Sequence, residues 1–78
     1  MRKKELSLII TFPSTADALA MERICARFQA PGRLIPVPTS ITASCGLAWR
    51  SAPSDQEALE TLISTEKLTI QGIYECMV

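Results

Sequence analysis

The chain contains no histidine, and this absence limits the chemistry that it can perform. Histidine is the commonest base that activates a cysteine nucleophile, so a thiol enzyme is the weakest of the functional hypotheses. Only three cysteines occur, without a Cys-x-x-Cys pair, so neither a zinc site nor a disulfide framework is predicted. Reduced thiols in a cytoplasmic protein fit this cysteine usage.

Net charge and long apolar runs are also lacking. Eight Lys and Arg residues balance eight Asp and Glu residues, so no net field attracts nucleic acid and none is predicted as a partner. No apolar run approaches the roughly 20 residues that span a bilayer, so no membrane segment is predicted.

Residues 1–4 resemble the basic start of a signal peptide, but Glu5 interrupts it and the next apolar stretch is short. We interpret this start as that of a mature cytoplasmic protein.

The length of 78 residues predicts one domain with a small core. Such a core gives modest stability, and a homodimer or a larger partner would bury additional surface.

Alternating apolar residues predict four strands, at residues 5–12, 33–37, 46–51 and 68–76. Two segments with apolar residues at helical spacing predict two helices. Ser14, with Asp17 three residues later, should cap the first helix, and Ser54 with Glu57 should form a capping box for the second. The predicted order is βαββαβ.

The first helix should extend from residue 15 to 29 and end where Pro and Gly occur, at residues 30–32. Its apolar stripe is expected to pack on the sheet and consists of Ala20, Met21, Ile24, Cys25 and Phe28. Within this stripe, Cys25 is expected to behave as a small, inert hydrophobe. Trp49, in the third strand, is predicted to be more than half buried as a core anchor.

An α+β chain in this order most often folds as a ferredoxin-like sandwich, with an antiparallel sheet of order 4-1-3-2 and both helices on one face. Pro36 and Pro38 lack backbone donors, which suits an edge strand, and this order places the second strand at an edge. We therefore expect a single ferredoxin-like domain over residues 1–78. The other face of the sheet would be left for a partner or a ligand.

The reactive group predicted in this arrangement is the thiol of Cys45, which follows a small, hydroxylic loop. Strands one and two run the same way, so the start of strand three should meet the start of the first helix at one end of the sheet. There, the amides of Ser14, Thr15 and Ala16 would stabilise a thiolate and lower the thiol pKa. Gly46 would keep the approach to the sulfur open. The alternative, a loop cysteine with an ordinary pKa, remains open from the residues alone.

Cys76 should lie at the opposite end of the sheet, because the last strand starts near the Cys45 end and runs away from it. A strand of this length separates the two thiols by roughly 15 to 20 Å. Cys76 is therefore interpreted as an edge-strand or tail residue and is not paired with Cys45.

Several motifs, taken in order, resemble a small bacterial family of selenium or sulfur carrier-like proteins. They are TFPSTADAL at residues 11–19, Glu22, LIPVP at residues 34–38, and SCGLAWR at residues 44–50. The resemblance implies that Cys45, flanked by Ser44 and Gly46, holds sulfur or selenium as a persulfide-type adduct and passes it to a partner. It implies donor and acceptor proteins as partners and no permanently bound cofactor.

Two further hypotheses belong to other functional classes. In the first, the same sandwich is a non-catalytic binding or regulatory module, and Cys45 merely packs. The second is the thiol enzyme that the lack of histidine disfavours. The rate at which Cys45 is alkylated near neutral pH, relative to Cys25 and Cys76, separates the carrier from the module.

Overall fold

A computed structural model describes residues 5–38, 41 and 46–77. The described elements are β1 (Leu6–Thr11), α1 (Thr15–Phe28), β2 (Arg33–Pro36), β3 (Leu47–Ser51), a 3₁₀ turn (Pro53–Asp55), α2 (Gln56–Thr65) and β4 (Gly72–Met77). The predicted βαββαβ order is thus confirmed. No helix in these ranges is long and apolar enough to cross a membrane.

The four strands form one antiparallel sheet in the order β2-β3-β1-β4. Counted from its β4 edge, this order is 4-1-3-2, as expected from the sequence. β2 pairs only with β3 and lies at an edge, so the missing amide donor of Pro36 leaves no gap inside the sheet.

Both helices pack on one face of the sheet. Leu8 and Ile10 of β1 and Phe12 directly after it alternate onto this face and are fully buried. They join Trp49, which is 3% exposed, and residues that the helices contribute to the same cluster: Ala18, Met21, Cys25, Leu59 and Ile63. The buried position predicted for Trp49 is therefore confirmed.

The centre of β1 is also buried on the face that carries no helices. Ile9 is inaccessible to solvent although it points away from the helices. Arg50 on β3 and Tyr74 on β4 are its direct cross-strand neighbours. Because cross-strand side chains lie about 5 Å apart, long neighbours can cover a residue on an uncapped sheet face.

The end of α1 differs from the prediction. The helix stops because Gln29 adopts a left-handed conformation (φ 54°), and the amide of Ala30 donates to the carbonyl of Cys25 at 2.8 Å. Phe28 was expected in the packed stripe but is 53% exposed, and the Arg27 guanidinium lies 5.8 Å from the centre of its ring. The apolar stripe therefore ends one turn earlier than its spacing suggests.

Gly32 serves packing rather than helix termination. Its φ of +106° lies in the region that favours glycine, and a Cβ there would clash with the indole nitrogen of Trp49. That nitrogen donates to the carbonyl of Pro31 at 3.0 Å. The indole thus lies directly against the start of β2.

The predicted capping box of Ser54 and Glu57 is wrong. Asp55 occupies the N-cap of α2, and its carboxylate accepts from the Ser51 hydroxyl at 2.9 Å and from the Ala52 amide at 3.3 Å. Because these bonds close a 3₁₀ turn that begins with proline, α2 starts after Asp55 rather than after Ser54.

The last strand was also predicted too long, since it begins at Gly72 instead of Leu68. The amide of Leu68 donates to the carbonyl of Ile63 at 2.9 Å, which ties the segment after α2 to the helix end. The first link to β1 is the amide of Gln71, which donates to the carbonyl of Thr11 at 2.7 Å. Apolar alternation in residues 68–70 reflects packing against the core instead of strand pairing.

Candidate functional site

The predicted reactive thiol, Cys45, and its neighbour Ser44 lie outside the described residues. Of the remaining predicted site residues, the structure describes Gly46 directly before β3 and Ser14, Thr15 and Ala16 at the start of α1. These four residues are the described neighbours of the predicted site.

Gly46 has a backbone conformation that a side chain would strain. Its φ is +75°, and its carbonyl accepts from the amide of Val37 at 2.9 Å, which extends the pairing of β2 with β3 by one bond. A Cβ at this position would have no atom of the described chain within 4 Å. Gly46 is therefore required for its backbone conformation, and the space beside it is open.

The first turn of α1 is capped as predicted. The Ser14 hydroxyl accepts from the amide of Asp17 at 3.2 Å and donates to the Asp17 carboxylate at 2.8 Å. A negative side chain therefore already occupies part of the positive end of the helix.

Thr15 and Ala16 keep the amides that could bind an anion. Both residues are exposed, and the first amides of a helix have no partner within the helix. Within the described part of the chain, no side chain or loop carbonyl accepts from either amide. These two amides, rather than Ser14, are the free donors of the predicted site.

The sheet register brings these elements to one end of the molecule. Thr11, the last residue of β1, pairs with Ala48, so Gly46 and the start of α1 both lie just beyond this row of the sheet. The predicted placement of the start of β3 and the start of α1 at one end of the sheet is confirmed for the described residues. That the two form a common site with Cys45 stays a prediction.

Cys25 has the properties of a structural cysteine. Its side chain is 1% exposed, and burial raises the pKa of its thiol to about 11. A cavity of about 360 Å³ between α1 and β2 is lined in part by Cys25, but a protonated, buried thiol is a poor nucleophile. The predicted shielding of Cys25 is confirmed.

Cys76 lies at the other end of the sheet, on the face without helices. It pairs with Ser7 in the first half of β1, whereas Gly46 lies beyond the last residue of that strand. Its thiol is free and partly exposed. Cys76 is thus accessible but remote from the start of α1.

Residues 5–38, 41 and 46–77 contain no group of three or more His, Cys, Asp or Glu side chains that could hold a metal ion. Within those ranges the candidate site consists of backbone amides, a glycine and polar side chains.

The motifs at this end of the sheet belong to a longer stretch that matches a known family. The sequence model of the family described as "Putative Se/S carrier protein-like" matches residues 7–75. The chain belongs to this family. The match spans both helices and the segment that contains Cys45, and membership of a carrier family implies interaction with partner proteins. Neither a curated protein sequence nor a solved structure matches the chain significantly.

Proposed function

We propose that this chain is a sulfur or selenium carrier that holds a persulfide-type adduct on Cys45 and passes it to a partner protein. The observation that carries the proposal is the family match over residues 7–75, which includes Cys45. The same proposal treats residues 1–78 as one ferredoxin-like domain that acts in the cytoplasm.

The states of the other two thiols support the choice of Cys45. Cys25 is enclosed by the core and has a raised pKa, so it is a poor acceptor of a sulfur atom. Cys76 is accessible but lies at the opposite end of the sheet from the exposed helix amides. Cys45 immediately precedes Gly46. No atom of the described chain lies within 4 Å of the position that a Cβ of residue 46 would take.

The proposed transfer is a thiol–persulfide exchange. The Cys45 thiolate attacks the outer sulfur of a donor persulfide, the sulfur–sulfur bond of the donor breaks, and the donor leaves as a thiolate. A new sulfur–sulfur bond then joins the transferred atom to Cys45. An acceptor thiolate repeats the attack on the outer sulfur and restores Cys45, so the cycle needs no external oxidant or reductant.

The start of α1 is proposed to favour the anionic forms of this cycle. The exposed amides of Thr15 and Ala16 provide a partial positive charge at the end of the sheet where β3 begins. The Asp17 carboxylate opposes this effect because it adds negative charge in the same turn. A lowered pKa of the Cys45 thiol remains a prediction that depends on the balance of these two effects.

Loading and discharge of the protein test the function. Protein is incubated with inorganic polysulfide, freed of excess donor and mixed with glutathione as a model acceptor, and the released sulfane sulfur is measured. Wild type and the control variant Cys76→Ser should load one sulfur atom and discharge it, whereas Cys45→Ser should do neither. Equal loading and discharge by Cys45→Ser would contradict the proposal.

A second candidate function is a non-catalytic binding module. Leu6 and Met77 are direct neighbours on β1 and the edge strand β4, and both side chains are at least half exposed. An exposed apolar pair beside an unpaired strand edge is typical of a protein-binding surface. Failure of Cys45 to load sulfur in folded protein would favour this candidate.

A further inference from the structure

A cavity of about 360 Å³ opens at the end of the sheet opposite Gly46. Arg33 and Arg50 line it together with Ser7, Gly32 and Glu5, among others. It is thus separate from the start of α1, and the inference drawn from it does not depend on the proposed carrier function.

The two arginines lie directly opposite each other. Arg33 on β2 pairs with Arg50 on β3, and alternation places both side chains on the face without helices. Directly opposed residues have Cβ atoms about 5 Å apart, and like charges at this spacing destabilise a sheet. No carboxylate in the described chain forms an ion pair with either guanidinium, so no salt bridge there offsets this repulsion.

Arg50 is held in place by a buried hydroxyl. Its Nε donates to the Ser7 Oγ at 3.2 Å, and Ser7 is only 3% exposed. The Ser7 hydroxyl in turn donates to the carbonyl of Glu5 at 3.2 Å. The two terminal nitrogens of Arg50 have no acceptor in the described chain, so a fixed guanidinium presents free donors beside the cavity.

We propose that this cavity binds a doubly charged oxyanion of the phosphate or sulfate type, held jointly by Arg33 and Arg50. Planar guanidinium groups match the oxygens of such ions with paired, charge-assisted hydrogen bonds. The ion would also remove the repulsion between the two arginines. Glu5 is the one carboxylate among the lining residues. Because two arginines outweigh it, the lining has a net positive charge.

The cavity is larger than an inorganic oxyanion, so it has room for the free ion and for an anionic group attached to a small organic molecule. Inorganic phosphate and O-phosphoserine serve as probes for these two sources. Tighter binding of the monoester indicates that the rest of the cavity also contacts the ligand, and equal or weaker binding indicates a site for the free ion.

The test is a titration followed by amide chemical shifts, with sodium chloride of matched ionic strength as the blank. Phosphate should shift the amides of Ser7, Gly32 and Arg33 in a saturable way, and chloride should not. Arg33→Gln and Arg50→Gln should each weaken binding by about tenfold or more, because each removes charge-assisted hydrogen bonds to the ion. Arg23→Gln, an exposed residue of α1 outside the cavity lining, is the control with the same change in net charge.

The proposal is overturned if phosphate produces no saturable shifts at these amides, or if Arg23→Gln weakens binding as much as Arg33→Gln. Arg33 is exposed on an edge strand and has no hydrogen bond to a described side chain, so its replacement should preserve the fold. Should Arg50→Gln disturb the amide spectrum of the free protein, its weaker binding would have a structural cause. The affinity of Arg33→Gln for phosphate then decides whether the proposal holds.

Discussion

At neutral pH the thiol of Cys25 should react with iodoacetamide about a hundredfold more slowly than an exposed cysteine of ordinary pKa, since burial raises its pKa from 9.0 to about 11. The thiolate is the reactive form, and at pH 7 a pKa of about 11 leaves roughly one thiol in ten thousand ionised, against roughly one in a hundred for the ordinary value. With an exposed fraction of 1%, restricted access lowers the rate further.

The assay is alkylation over time, with the three cysteines quantified by mass spectrometry. Cys25 should be the slowest in folded protein and should react at the same rate as the others in concentrated urea. If Cys25 in folded protein were labelled as fast as Cys76, the buried core position would be wrong, and with it the exclusion of Cys25 as the carrier thiol.

The same burial predicts a dependence of stability on alkaline pH. The folded state keeps the Cys25 proton up to about pH 11, whereas the unfolded state releases it near pH 9.0, so the folded state binds more protons between these values. The contribution of this group to the free energy of unfolding is complete below pH 9 and is lost as pH rises towards 11. Cys25→Ala should cost about 1 kcal/mol at neutral pH and should show a smaller alkaline loss than wild type, while sulfur loading remains unchanged.

Other predictions concern the local structure around both sites and use urea unfolding as the measurement. Gly32→Ala should destabilise by about 3 kcal/mol or more, because strain at positive φ adds to a clash with Trp49, whereas Gly46→Ala should cost only about 1 kcal/mol from strain. Equal costs would contradict the packing of Gly32 against the indole. Asp55→Ala should cost about 1 kcal/mol because it removes the acceptor of the Ser51 hydroxyl and the Ala52 amide in the turn before α2. An unchanged midpoint would show that these two hydrogen bonds do not stabilise the fold.

Local chemistry was sufficient to predict the sheet order and the start of α1. Ser14 and Asp17 cap the helix through contacts three residues apart, so the motif contains all the atoms involved. Pro36 restricts β2 to an edge because it lacks a donor, and this constraint agrees with the most common topology for the βαββαβ order.

Features that depend on packing between elements were not predicted. Phe28 has the spacing of a core residue, but its side chain is 53% exposed, so spacing alone assigns it wrongly. The opposition of Arg33 and Arg50 depends on the register between two strands joined by a loop. A period of two predicts which face each arginine takes but not which residue it opposes, so the arginine cavity was missed.

The location of the sulfur adduct tests the central claim most directly. Trypsin cleavage after arginine and lysine places Cys25, Cys45 and Cys76 on separate peptides, residues 24–27, 34–50 and 68–78. Wild-type protein is loaded with polysulfide, its thiols and persulfides are trapped with iodoacetamide, and the fraction carrying one extra sulfur atom is measured on each peptide. The carrier mechanism predicts that the adduct occurs predominantly on residues 34–50, with none on residues 24–27. An adduct that forms equally or preferentially on residues 68–78 would contradict it.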